Sequence, residues 1–166
     1  SEGYGQFLVD VFHEWYAHDV GKIYVSQFDN LLGQWLGYPS TTCVHQPTCG
    51  QSLVTEANGD VYACDHFVYP EYKMGNLTQQ PLTEIVLSNK QQQFGLEKSQ
   101  KLTALCRRCE FRKLCYGGCP KHRFISLENE PNPHNYLCAS YRYFFEQTAP
   151  YMQAMARQIR LHPSAA

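Results

Sequence analysis

Along the chain, apolar residues first recur at Phe7, Leu8, Val11, Phe12 and Trp15, an i, i+4 stripe that predicts an amphipathic helix. The stretch "HDVGK" breaks it at Gly21, and "KIYVSQF" then alternates with β-branched residues, as a strand does. A helix followed by a strand suits the tail of a larger α/β unit. "LGYPSTT" reads as a linker, and the cysteines begin directly after it. Two strand-like runs flank Asn58-Gly59, a hairpin signal in which both turn residues are expected at positive φ. Cys64 and Asp65 stand at the end of that hairpin. "QPLTEIVLSNKQQQFG" predicts one helix, with Pro81 in its first turn and Gly95 just past its end. Residues 106–123 show no sustained period and are expected as loop with short helical turns. Past Cys138, Tyr141, Phe144, Phe145, Met152, Met155 and Ile159 mark a C-terminal helix with Thr148 on the same face. Pro150 is expected to kink that helix or divide it.

Composition narrows the class. With 166 residues, 43% hydrophobic and 17% charged, the chain is globular rather than disordered. A formal net charge of −1 offers no electrostatic ground for nucleic acid as a partner. No apolar run approaches the roughly 20 residues that span a bilayer, so no membrane role is expected. The amino terminus has no basic stretch leading into an apolar one, so a secretory signal is not expected there and a cytoplasmic setting is.

Cysteine is the anomaly. There are eight, at positions 43, 49, 64, 106, 109, 115, 119 and 138, four of them within "CRRCEFRKLCYGGCPKHR". Without a secretory signal such a set reads as metal-binding before it reads as a disulfide framework. Two zinc sites would use all eight thiolates, although only Cys106/Cys109 has the CxxC form of a zinc knuckle. Two four-thiolate iron–sulfur clusters also use all eight. A run ending in Cys-Pro often sends its last cysteine to a different cluster, and Cys119-Pro120 invites that crossing. Arg107, Arg108, Arg112, Lys113, Lys121 and Arg123 would offset cluster charge, while Gly117 and Gly118 let backbone approach sulfide closely. Iron–sulfur, zinc and disulfide readings all remain open on spacing.

The order C-x5-C-x14-C, then C-x2-C-x5-C-x3-C-x18-C, resembles the SPASM domain of radical SAM peptide-modifying enzymes. "GDVYACDHFVYPEYKMGN" and "CYGGCPKHR" are similar to the anaerobic sulfatase-maturating enzymes, and "DVGKIYVSQFDNLLGQWLG" resembles the last part of that family's barrel. The resemblance implies an α+β fold: a small cysteine-rich iron–sulfur domain with a β-hairpin and flanking helices. The last helix–strand piece of a partial (β/α) barrel would precede it. It divides the chain into a barrel remnant over 1–40, the auxiliary-cluster domain over 41–140 and a C-terminal helix over 141–166. One [4Fe–4S] cluster would take Cys43, Cys49, Cys64 and Cys119, the other Cys106, Cys109, Cys115 and Cys138. Asp65 would be the general base that deprotonates the target side chain, with a pKa raised by the neighbouring anionic cluster.

The implied activity is oxidation of a cysteine or serine of a sulfatase polypeptide to Cα-formylglycine, with flavodoxin or ferredoxin as electron donor. S-adenosylmethionine and a third [4Fe–4S] cluster would belong to a CxxxCxxC core. Within this chain only Cys115-x3-Cys119-x2-His122 comes near that motif, with histidine in the third place, so the segment is expected to be inactive by itself. The alternatives are a SPASM domain acting on another peptide and a cytosolic zinc-binding interaction module. His45 and His66 stand beside cysteines and are candidates to hydrogen-bond sulfur, as is His122. His13, His18, His134 and His162 are expected at the surface or on helices.

Overall fold

The computed structural model describes residues 2–162. Two helices, α1 (Glu2–His18) and α2 (Ser26–Leu36), lie against a long C-terminal helix, α7 (Cys138–Leu161). Their contact forms the main core: Leu8, Phe12 and Trp15 of α1, Phe28 and Leu31 of α2, and Phe144, Phe145, Met152 and Met155 of α7. Phe12 is fully buried and meets Phe28 edge-on at 5.4 Å between ring centroids. Burying such a ring contributes about 1.5–3 kcal/mol. The inward face of α1 is Leu8, Val9, Phe12 and Trp15, whereas Phe7 and Val11 are exposed. The apolar stripe is therefore real but rotated from the one expected.

The strand expected at 22–28 does not form. Trp15 Nε1 donates to the Ile23 carbonyl at 2.9 Å, and the Asp29 carboxylate accepts from the Val25 amide at 2.7 Å. That acidic side chain satisfies a free donor at the start of α2, and no partner strand competes for it. Among the described residues, the first 40 positions contribute helices and turns, with no strand of a barrel.

A three-stranded antiparallel sheet follows, β1 (Val54–Thr55), β2 (Asp60–Tyr62) and β3 (Lys73–Asn76), in that order. The hairpin sits where expected, but its turn has a different form. Only Gly59 is left-handed, at φ 83°, while Asn58 uses its side-chain carbonyl to accept from the Asp60 amide at 3.0 Å. The Glu56 carbonyl accepts from the Gly59 amide, closing a turn before a single left-handed residue.

The helix expected over 80–95 is two helices, α3 (Leu82–Val86) and α4 (Asn89–Gln100). Ser88 separates them, its hydroxyl accepting from the Gln91 amide as an N-cap. Gly95 consequently lies inside α4 rather than beyond a helix end. Two short helices, α5 (Ala104–Arg108) and α6 (Arg112–Cys115), and a small pair, β4 (Arg123–Ile125) with β5 (His134–Asn135), complete the chain. Cys138 opens α7, and that helix runs through Pro150 undivided to Leu161. Residues 163–166 of the expected C-terminal stretch lie outside the described residues.

Candidate metal centres

All eight cysteines are free thiols, and the fold gathers them into two groups. Cys106, Cys109, Cys115 and Cys138 all line one cavity of about 230 Å³. Short elements aim them there: Cys106 from α5, Cys109 just past it, Cys115 from the end of α6 and Cys138 from the start of α7. Thr103 caps α5, its hydroxyl accepting from the Cys106 amide at 3.3 Å. The same hydroxyl lies 3.0 Å from His134 Nδ1, which is also 3.7 Å from Cys106 Sγ. His134 is buried in β5, not at the surface as expected, and it is the histidine that touches this group. Burial pushes the Cys115 thiol up to about 12 and the Cys138 thiol up to about 11.

The other four cysteines are related through Cys119. Cys119 stands within electrostatic reach of Cys43, Cys49 and Cys64. It is separated from Cys115 by Tyr116, Gly117 and Gly118, all three in left-handed conformation. Two of those three positions are glycine, for which that conformation is free of strain. This turn carries the chain out of the first group and into the second within four residues. His66 Nδ1 lies 3.6 Å from Cys119 Sγ. His45, by contrast, packs edge-on to Tyr141 and reaches the Gln27 amide nitrogen at 3.3 Å, with no sulfur contact.

Cys43 opens a single 3-10 turn, Cys43–His45, closed by the Gln46 amide on the Cys43 carbonyl, and Cys49 lies in the irregular loop that follows. One face of α4 supplies this segment with further partners. Gln91, Gly95 and Lys98 fall at i, i+4 and i+7 and are the buried residues of that helix. Gln91 Nε2 donates to the Gly50 carbonyl at 2.8 Å and to the Ala63 carbonyl at 3.2 Å, tying the loop to the residue before Cys64. The Gly95 carbonyl accepts from the Cys49 amide at 3.1 Å. Lys98 Nζ donates to the Cys43 and Val44 carbonyls at 2.5 and 3.0 Å. This stripe escaped the sequence reading because it is polar. Its helical spacing was visible, but an apolar search passes over it.

Asp65 follows Cys64 at the end of β2. Its Oδ1 accepts from the Cys64 thiol at 3.1 Å and from the His66 amide at 3.0 Å. The Cys64 hydrogen bond, more than any other influence, holds the Asp65 carboxyl below the usual carboxylate range. Here the carboxylate is exposed and stabilised by hydrogen-bond donors, the Cys64 thiol foremost; the raised pKa expected beside an anionic cluster is a property of the metal-loaded site. Burial pushes the Cys64 thiol the other way, up to about 12.

The donor set fits a thiophilic metal. Each group offers four sulfurs, and buried thiols of high pKa become ligands when a metal displaces their protons. The cations needed to balance the resulting charge are at hand in Lys98 and Arg123, both within electrostatic reach of Cys43 or its partners.

Residues 43–110 match the family model of SPASM, an iron–sulfur cluster-binding domain. Residues 43–110 thus match a SPASM domain, and the chain as a whole is similar to part of the anaerobic sulfatase-maturating enzymes. It is 44% identical over 159 residues to a serine-type anaerobic sulfatase-maturating enzyme of Bacteroides thetaiotaomicron, covering 95% of this chain and 38% of that protein. A cysteine-type enzyme of Clostridium perfringens is 33% identical over 161 residues, covering 96% and 43%. The solved structure of native anSMEcpe with bound AdoMet and Kp18Cys peptide superposes with a TM-score of 0.80 at 34% identity, over 94% of this chain and 43% of that one. This SPASM-containing chain therefore spans about two fifths of the length of its relatives. No helix among the described residues is long and apolar enough to cross a membrane.

Proposed function

We propose that this chain is the auxiliary-cluster region of a cytoplasmic radical SAM enzyme that oxidises a cysteine or serine of a sulfatase polypeptide to Cα-formylglycine. The observation that carries the proposal is the sorting of eight thiols into two groups of four, with Cys119 leaving its sequence neighbours. Cys43, Cys49, Cys64 and Cys119 would hold one [4Fe–4S] cluster, and Cys106, Cys109, Cys115 and Cys138 the other. Such clusters supply low-potential electron transfer. With four cysteines at each, neither leaves an iron open to substrate. The S-adenosylmethionine site and its third cluster would belong to a CxxxCxxC core outside these residues, on which residues 1–40 would abut. In this reading residues 41–140 form the cluster domain and the remainder its closing helix.

Within this region Asp65 has the clearest chemical role. Its exposed carboxylate would accept a proton from the thiol or hydroxyl of the bound peptide, while the His66 amide, which keeps its proton when Cys64 is a ligand, holds Oδ1 in place. Beside it, Phe67, Tyr72 and Phe94 line a hollow shared with Lys98, Lys121 and Arg123, a surface suited to peptide backbone and side chains. Arg107, Arg108, Arg112 and Lys113 expose positive charge near the Cys106 group, suited to an acidic electron carrier such as flavodoxin or ferredoxin.

Anaerobic purification of the whole enzyme, followed by iron and acid-labile sulfide analysis and mass spectrometry of a sulfatase peptide, tests this reading. The expected result is two clusters besides the core cluster and formylglycine in the peptide. Stoichiometric zinc without sulfide, or modification of a different residue type, would overturn it.

A further inference from the structure

One side chain touches the machinery of both cysteine groups. Arg123 opens β4, and its guanidinium donates to four carbonyls: Gly117 at 3.2 Å, Tyr116 at 3.0 Å, Gly118 at 3.4 Å and Lys98 at 2.7 Å. The first three belong to the left-handed turn between Cys115 and Cys119, ligand candidates of different groups. The fourth belongs to the residue whose own ammonium holds the Cys43 and Val44 carbonyls. Asn135, paired with Arg123 across the β4–β5 ladder, adds a further donor to the Gly117 carbonyl at 3.0 Å. A planar five-donor fork suits such a convergence of carbonyls, which a point-charge ammonium cannot span.

We propose that Arg123 is a positioning residue that sets the separation of the two metal groups and makes both easier to reduce. The inference rests on the cluster reading above. Its structural half follows from the four carbonyls: release of the guanidinium frees the turn that assigns Cys115 and Cys119 to different groups. Its electrostatic half follows from charge. The guanidinium stays protonated in proteins, and it reaches Cys49 and Cys119 on one side and Cys106 and Cys115 on the other. Reduction adds an electron to each group, and a fixed cation between them favours that electron in either place. Lys98 differs: the cysteines it acts on most strongly are Cys43, Cys49 and Cys119, all of one group.

The test is an EPR-monitored redox titration of the reconstituted whole enzyme, with iron and sulfide counted on the same samples. Arg123→Gln keeps an amide N–H that can donate to these carbonyls and removes the charge. It is expected to lower the reduction equilibrium of both clusters about tenfold, or about 59 mV for one electron. Arg123→Lys, which keeps the charge, is expected to stay within about threefold of the native values by the same conversion. Lys98→Met is expected to shift only the cluster of the Cys43 group. If Arg123→Gln fails to keep its iron, joint loss of both clusters supports the proposal and loss of one alone overturns it. Unshifted potentials in a fully loaded Arg123→Gln enzyme also overturn it, whereas absence of sulfide from the native protein overturns the cluster reading itself.

Discussion

The Cys64 thiol donates to the Asp65 carboxylate across 3.1 Å, so a sulfur offered to metal and a carboxylate offered to substrate are adjacent in both sequence and space. Metal binding at Cys64 would remove that thiol proton and leave the carboxylate beside an anionic ligand. The donor that now depresses the Asp65 pKa would then be lost, and its basicity would rise. Metal loading and basicity are coupled through one hydrogen bond.

Asp65→Asn is therefore expected to lower formylglycine formation by about 10²–10⁴-fold, the usual contribution of a positioned base. Iron and sulfide content should be unchanged, because all eight cysteines remain. A variant that turns over at the native rate in a peptide assay would show that Asp65 is not the base.

Cys119→Ser and Cys115→Ser, four residues apart, are expected to empty different sites. The first should abolish the EPR signal of the Cys43 group and spare the other; the second should do the reverse. Combining Cys119→Ser with Cys64→Ser should cost no further iron than either alone. Additive loss in that double variant would mean that the two cysteines serve separate metals.

Gly95→Ala pits helix propensity against packing. Alanine is favoured over glycine within a helix by about 0.8–1.0 kcal/mol. A Cβ at this position, however, would stand 2.6 Å from the Cys49 carbonyl oxygen, which is backbone and must move. Overpacking of that kind costs about 1–3 kcal/mol, so the variant is expected to be less stable on balance. Denaturant unfolding should show a lower midpoint, and iron analysis a selective deficit in the Cys43 group.

His45 should make stability depend on pH. Burial, aided by the nearby Lys98 charge, lowers its pKa from 6.5 to about 4. The unfolded chain therefore takes up the proton at higher pH than the folded one, and acid favours unfolding. The contribution is intact above pH 6.5 and is lost progressively as pH falls toward 4. Such a difference amounts to about 3 kcal/mol. Replacing His45 with Gln should flatten the fall in unfolding free energy over that range. Comparing the two proteins at each pH cancels any acid sensitivity of bound metal that they share. Parallel pH profiles would refute the assignment.

How much was legible beforehand varies by residue. The thiol count, the hairpin before Cys64 and the short helical turns over 106–123 were all readable, because each depends on local spacing and turn chemistry. The strand expected at 22–28 was misread because its alternation had no partner, and the Asp29 carboxylate stabilised a helix start instead. The break at Ser88 was overlooked because a capping serine can interrupt an otherwise continuous helical pattern. His134 was assigned to the surface because nothing local signals that β5 pairs with β4 and buries it.

The sequence by itself determined the chemistry available: eight sulfurs, their spacing, a carboxylate beside one of them and cations close by. Ligand type and short-range turns are properties of neighbouring residues, so they survive without a fold. Only the tertiary structure decided which charges and donors meet those sulfurs. The polar stripe of α4 lies 28 or more residues from the backbone groups it bonds outside its own helix. Arg123 joins two groups through carbonyls that belong to a turn and to a distant helix. Buried carbonyls must find donors wherever the chain brings them, and that requirement is met by packing in three dimensions.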